Sequence, residues 1–165
     1  MKDALPTSKL SEPTPTGPTE PAATGPTLAD EPTDQADAGA SPLVLVVDDV
    51  LDNAVVISLA LQQRGYRVVT ATDGAEALKI AALTRPDVIL MDIAMPQLDG
   101  LAATRRLRED ESLRAIPVIA LTAFDTEGFR RAAYDAGIDG YLTKPVNFDR
   151  LYDLISSKLP APPQP

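Results

Sequence analysis

The sequence predicts an α/β domain: a mostly parallel five-stranded sheet with helices on both faces. Three observations carry that expectation. Short apolar runs alternate with segments of helical period five times between Leu43 and Leu159. Val88 to Met91 is apolar at every position, as a central parallel strand buried on both faces requires. Gly65 and Gly137 stand where the first and fourth helical segments should stop.

Leu43–Val47 is a short, Val-rich run and reads as the first strand. Leu51–Arg64 follows as a helix whose expected apolar side carries Leu51, Val55 and Leu59, with Ser58 and Gln62 beside them. Tyr66–Thr70 is β-branched and strand-like, and Gly74–Leu83 is rich in Ala, Leu and Glu and helical. Asp87–Met91 is the third strand, Leu98–Arg108 the third helix and Pro117–Leu121 the fourth strand. Thr126–Ala136 is helical, Ile138–Leu142 is the last strand and Phe148–Leu159 the last helix. Right-handed crossovers and short loops leave few topologies for such a series. Five strands in about 120 residues suit a doubly wound sheet of flavodoxin-like order 2-1-3-4-5.

Composition divides the chain near Ser41-Pro42. Residues 1–41 are dominated by Pro, Thr, Ala, Gly and acids, with an echo of Thr16-Gly17-Pro18-Thr19 in Thr24-Gly25-Pro26-Thr27. Such a segment buries too little apolar surface to offset its ordering entropy, so a disordered, solubilising tail is expected there. Residues 42–159 form the expected folded domain, and 160–165 a second short Pro-rich tail that stops the last helix. No second domain is expected in the chain. The net charge of −9 disfavours direct contact with nucleic acid or an anionic membrane surface. The absence of Cys and His excludes thiolate and imidazole chemistry and any zinc site built on them. No signal-peptide pattern or run long enough to span a bilayer is present, so a cytoplasmic protein is expected. The cluster Arg105, Arg106, Arg108 reads as solvated surface.

In doubly wound sheets ligands bind at the carboxyl ends of the strands. Strand one ends in Asp48-Asp49, strand three in Asp92 and strand four in Thr122, while strand five runs out shortly before Lys144-Pro145. Taken singly, these residues have plain readings: Asp48, Asp49 or Asp92 as a helix cap or turn residue, Thr122 as a strand end, Lys144 as surface charge. Their joint placement is harder to explain that way. Three carboxylates repel one another and need compensating cations. Lys144 supplies one, and an all-oxygen donor set suits Mg2+ as the second. A metal, an ammonium and a hydroxyl together complement a phosphoryl group, and the remaining carboxylate can act as the nucleophile.

These residues resemble the receiver domain of bacterial two-component response regulators. The matching pieces are Val46-Val47-Asp48-Asp49, Leu90-Met91-Asp92-Ile93-Ala94-Met95-Pro96 with Asp99-Gly100, Ala120-Leu121-Thr122-Ala123, and Gly140-Tyr141-Leu142-Thr143-Lys144-Pro145. The resemblance spans residues 43 to 159. It implies that Asp92 accepts a phosphoryl group from a histidine kinase or phosphotransfer protein. It implies magnesium held by Asp49 and Asp92 directly, by Asp48 mainly through water, and by the backbone carbonyl of Ala94. Thr122 would follow the phosphoryl group, Lys144 would pair with it, the Lys144-Pro145 bond would be cis, and Tyr141 would turn inward when Thr122 moves. Kinase specificity would lie on the first helix, around Asp52, Asn53, Val56 and Leu59. Output would pass through protein contacts at the fourth helix, fifth strand and fifth helix, toward an unidentified target.

The resemblance implies a phosphoacceptor that assists its own phosphoryl transfer and hydrolysis, not a conventional enzyme. Ala94 and Phe124 offer no side chain to hold an attacking water, so a long-lived phosphoryl group is expected. Two other functions compete. A phosphatase-type hydrolase with an Asp nucleophile needs a second acid two residues later, but Asp49 is followed by Val50-Leu51 and Asp92 by Ile93-Ala94. A binding module that works without phosphorylation is disfavoured by the intact set Asp48, Asp49, Asp92, Thr122 and Lys144.

Overall fold

The computed structural model describes residues 41–96 and 98–159. The expected tails, 1–41 except Ser41 and 160–165, lie outside the described residues. The elements run β1 (Leu43–Val47), α1 (Leu51–Gln63), β2 (Arg67–Ala71), α2 (Gly74–Thr84), β3 (Val88–Asp92), α3 (Gly100–Glu109), β4 (Val118–Thr122), α4 (Glu127–Asp135), β5 (Gly140–Thr143) and α5 (Phe148–Lys158). All strand pairings are parallel and the order is β2-β1-β3-β4-β5, the doubly wound arrangement expected.

Alternate residues of each strand point to opposite faces, and both faces are buried. Leu45, Val47, Ile89, Met91, Val118 and Ala120 pack with the small residues Ala77, Ala81, Ala103 and Ala133 of α2, α3 and α4. Val44, Val46, Leu90, Ile119 and Leu121 pack with Ala54, Ile57 and Leu61 of α1 and Leu151 and Ile155 of α5. Aliphatic residues fill this core, in keeping with a chain of only 4% aromatics. Gly65 and Gly137 take the left-handed backbone at φ 85° and 99°, as expected of helix stops.

Two expectations are corrected. The buried side of α1 is Ala54, Ile57 and Leu61, whereas Leu51, Val55 and Leu59 are exposed. Apolar residues occur on two sides of this helix, so periodicity did not select the packed one, and small Ala54 lets the backbone approach the sheet. Arg108 is not solvated surface: its guanidinium donates to the carbonyls of Gly137, Arg114 and Ile116 and to the carboxylate of Asp139 at 2.7–3.0 Å. A Cβ at Gly137 would come within 2.7 Å of the Arg108 side chain. Arg105 and Arg106 are exposed as expected.

The amino ends of the strands close on themselves. Asp87 precedes β3, and its carboxylate accepts from the Leu43 amide of β1 at 2.7 Å while its own amide donates to the Leu43 carbonyl at 2.8 Å. Asp139 precedes β5 and repeats this reciprocal pair with Val118 of β4, both bonds at 2.8 Å.

Candidate functional site

The opposite edge of the sheet collects the residues singled out in the sequence. Apolar strands β1, β3 and β4 stay buried to their last residue, so the polar group that ends each one is carried into the protein rather than into solvent. Asp48 follows β1 and is fully buried, Asp92 ends β3 at 4% exposure, and Thr122 ends β4 fully buried. Lys144 follows β5, and its amide donates to the Thr122 carbonyl at 2.8 Å. The Lys144-Pro145 bond is cis, as expected.

Lys144 Nζ lies 2.8 Å from Asp48 Oδ2 and 2.8 Å from Asp92 Oδ2, bridging the two buried carboxylates. Partial burial pulls the Lys144 ammonium down, but its hydrogen bonds to Asp48 and Asp92 and their charges more than offset this and hold its pKa above the ordinary lysine value. The second oxygens are held by the chain. Asp48 Oδ1 accepts from the Val50 amide at 2.8 Å and from Asn53 Nδ2 at 3.3 Å, and Asp92 Oδ1 accepts from the Ala94 amide at 3.0 Å. Asp49 is exposed, and one oxygen each of Asp48, Asp49 and Asp92 lie within 4.8 Å of one another. Lys144 thus bridges two of three clustered carboxylates, in an all-oxygen pocket suited to a hard divalent cation.

Thr122 and Tyr141 are joined through the backbone of one residue, Phe124. The Phe124 amide donates to Thr122 Oγ1 at 3.1 Å, and the Phe124 carbonyl accepts from the Tyr141 hydroxyl. The Tyr141 ring is half-buried and packs against the core beneath α4. Burial pushes its phenol above the ordinary tyrosine value; the Asp125 carboxylate adds to this, and Arg130 and the Thr122 hydroxyl offset part of it. Ala94 and Phe124 are both exposed at the rim of the site.

Sequence reasoning missed two supports. Asn53, read only as a partner-facing residue, orients Asp48 from the first turn of α1. Gly100 opens α3 directly over the end of β3, where a Cβ would collide with the Asp92 carbonyl and come within 2.9 Å of the Met91 side chain. The Asp-Gly pair carried the signal: Asp99 caps α3 by accepting from the Ala102 amide at 2.7 Å, and glycine lets the helix start in contact with the strand.

Comparison with known proteins agrees with this geometry. A family model for the response regulator receiver domain matches residues 44–156. Response regulator PleD of Caulobacter vibrioides is 39% identical over 117 residues, which are 71% of this chain but 26% of PleD. The polar-differentiation response regulator DivK of Brucella anthropi is 38% identical over 116 residues, 70% of this chain and 94% of DivK. The receiver domain of sensor histidine kinase PA1611 from Pseudomonas aeruginosa, solved with magnesium coordinated in its active-site cleft, matches with a TM-score of 0.67 at 40% identity, covering 72% of this chain and 97% of that one. Chemotaxis protein CheY4 of Vibrio cholerae matches with a TM-score of 0.70 at 33% identity, covering 73% of this chain and all of its own. On the strength of its sheet order, the acidic ends of its strands and these likenesses, the chain belongs to the response regulator receiver domains of two-component systems.

Proposed function

We propose that this chain is a signalling switch operated by phosphorylation of Asp92. The observation that carries the reading is the bridge from Lys144 Nζ to both Asp48 and Asp92, with Asp49 beside them. An Asp92 carboxylate oxygen attacks the phosphorus of a phosphohistidine on a kinase or phosphotransfer protein. A P–O bond forms, the P–N bond breaks, and the freed imidazole takes up a proton. Lys144 would pair with the transferred group, and the Thr122 hydroxyl would donate to one of its oxygens.

The pocket fits magnesium. Its donors are carboxylate oxygens, and Asp49 is exposed and has no hydrogen-bond partner among the described residues. Asp49 and Asp92, with Asp48 mainly through water and the Ala94 carbonyl, would hold the ion. When bound, it neutralises negative charge building on the phosphoryl oxygens. Asn53 and the Val50 amide keep the Asp48 carboxylate turned into the pocket.

Val50, Leu51, Val55, Val56 and Leu59 leave an exposed apolar strip on and just before α1, beside the site. This strip supports docking of the phosphoryl donor at α1, and the arrangement around Tyr141 supports output through α4, β5 and α5. No helix among the described residues is long and apolar enough to cross a membrane.

Intact-mass spectrometry after incubation with acetyl phosphate and magnesium tests the proposal. One phosphoryl adduct is expected in the wild type, none in Asp92→Ala and none in the presence of a chelator. A folded wild type without an adduct would move the reading to a binding module that works without phosphorylation.

A further inference from the structure

Four groups above Thr122 are tied to one another. Arg130 Nε donates to Asp125 Oδ1 at 2.8 Å, and Nη2 of the same guanidinium donates to the same oxygen. The guanidinium carbon lies 5.4 Å from the centre of the Tyr141 ring. The Tyr141 hydroxyl donates to the carbonyl of Phe124, the residue immediately before Asp125. The Phe124 amide in turn holds Thr122 Oγ1. Arg130 therefore grips the β4–α4 loop through Asp125 and covers the ring whose hydroxyl is bound to that same loop.

Helix stability does not account for this cation. Arg130 stands in the first turns of α4, near the positive end of the helix dipole, where a cation is disfavoured. Asp125 lies outside the helix, before the Thr126 N-cap, so the pair spans the loop rather than the helix surface.

We propose that Arg130 and Asp125 form a lid that keeps Tyr141 turned toward Thr122, and so set how readily the switch reaches its phosphoryl-bound arrangement. The inference rests on the Asp92 reading above and adds a regulating element to it. A ring held against the Phe124 carbonyl is already placed to fill the space that Thr122 leaves on moving toward Asp92. A ligand that draws Thr122 forward then binds a larger competent population, which tightens its apparent affinity. Both partners are about half exposed, at 51% and 48% of their side chains, so the effect is modest.

The test is titration of the full chain with beryllofluoride in magnesium, followed by calorimetry, for wild type, Arg130→Ala, Asp125→Asn and the double variant. Tyrosine is replaced by 3-fluorotyrosine in parallel samples, so that fluorine NMR reads the Tyr141 ring without ligand. Each single variant is expected to weaken binding roughly 2–5-fold, the range an exposed ion pair and cation–π contact allow. The double variant is expected to be no weaker than the weaker single one, because the two residues act as a unit. The Tyr141 resonance is expected to move away from its beryllofluoride-bound position in each variant. Asp125→Asn probes the same contact should Arg130→Ala unfold. Wild type that binds, with variants that bind equally well or more tightly or leave the Tyr141 resonance in place, overturns the lid alone. Wild type that does not bind beryllofluoride overturns the Asp92 reading and the lid with it.

Discussion

At the amino ends of the strands, Asp87 and Asp139 each close a reciprocal pair with the first residue of a neighbouring strand, and Arg108 neutralises Asp139 while filling three loop carbonyls. At the carboxyl ends, Asp48 and Asp92 share a single ammonium, and the Asp49 carboxylate lies beside them. The same residue type serves both ends of one sheet, spaced singly at one and crowded at the other. Where each carboxylate has its own partner, the charge serves the fold. Where carboxylates outnumber cations, the excess is a standing cost to the fold, and it makes the pocket complementary to a hard divalent cation.

The sharpest way to break this contrast is Arg108→Ala. It strands the carbonyls of Gly137, Arg114 and Ile116 and leaves Asp139 without its cation, and should cost about 2–4 kcal/mol of stability. Urea unfolding measures the loss, while the adduct formed from acetyl phosphate below the transition should be unchanged. Magnesium sharpens the other side. If the carboxylates at the carboxyl end outnumber their cation, saturating magnesium should stabilise the wild type, by about 2.7 kcal/mol at a hundred times its dissociation constant. Asp49→Asn should lose most of that response while being no less stable than wild type in chelator. A melting temperature indifferent to magnesium in the wild type would refute the idea. The finest adjustment concerns the exposed rim. Ala94→Asn supplies an amide that can position water beside the acyl phosphate, and should shorten its lifetime several-fold, measured as loss of the adduct over time. A wild-type adduct that decays within seconds would contradict the long lifetime expected from Ala94 and Phe124.

Much of this was legible in the sequence because the strands are so uniform. Apolar runs that stop abruptly at Asp48, Asp92 and Thr122 announce both a doubly buried sheet and its working edge. The turn of α1 was not legible: Leu51, Val55 and Leu59 repeat at helical spacing as well as Ala54, Ile57 and Leu61 do, and only tertiary packing selects between them. Arg108 was misread because its acceptors are mainly backbone carbonyls, which leave no mark on the side-chain pattern, and its neighbours Arg105 and Arg106 are solvated. The lid over Tyr141 was hidden for a related reason. Asp125 and Arg130 are five residues apart across a helix start, a spacing that pairs them only when the loop takes its observed path.

The most direct test of the contrast is the urea midpoint of Asp92→Asn beside that of wild type, both in chelator. The substitution keeps the shape of Asp92 and removes one of the three crowded charges. The midpoint should be equal or higher with an unchanged slope, the result expected when a carboxylate is kept for chemistry at the expense of stability. A midpoint that falls as far as that of Arg108→Ala would show that Asp92 holds the fold together through Lys144, and the division between the two ends of the sheet would not stand.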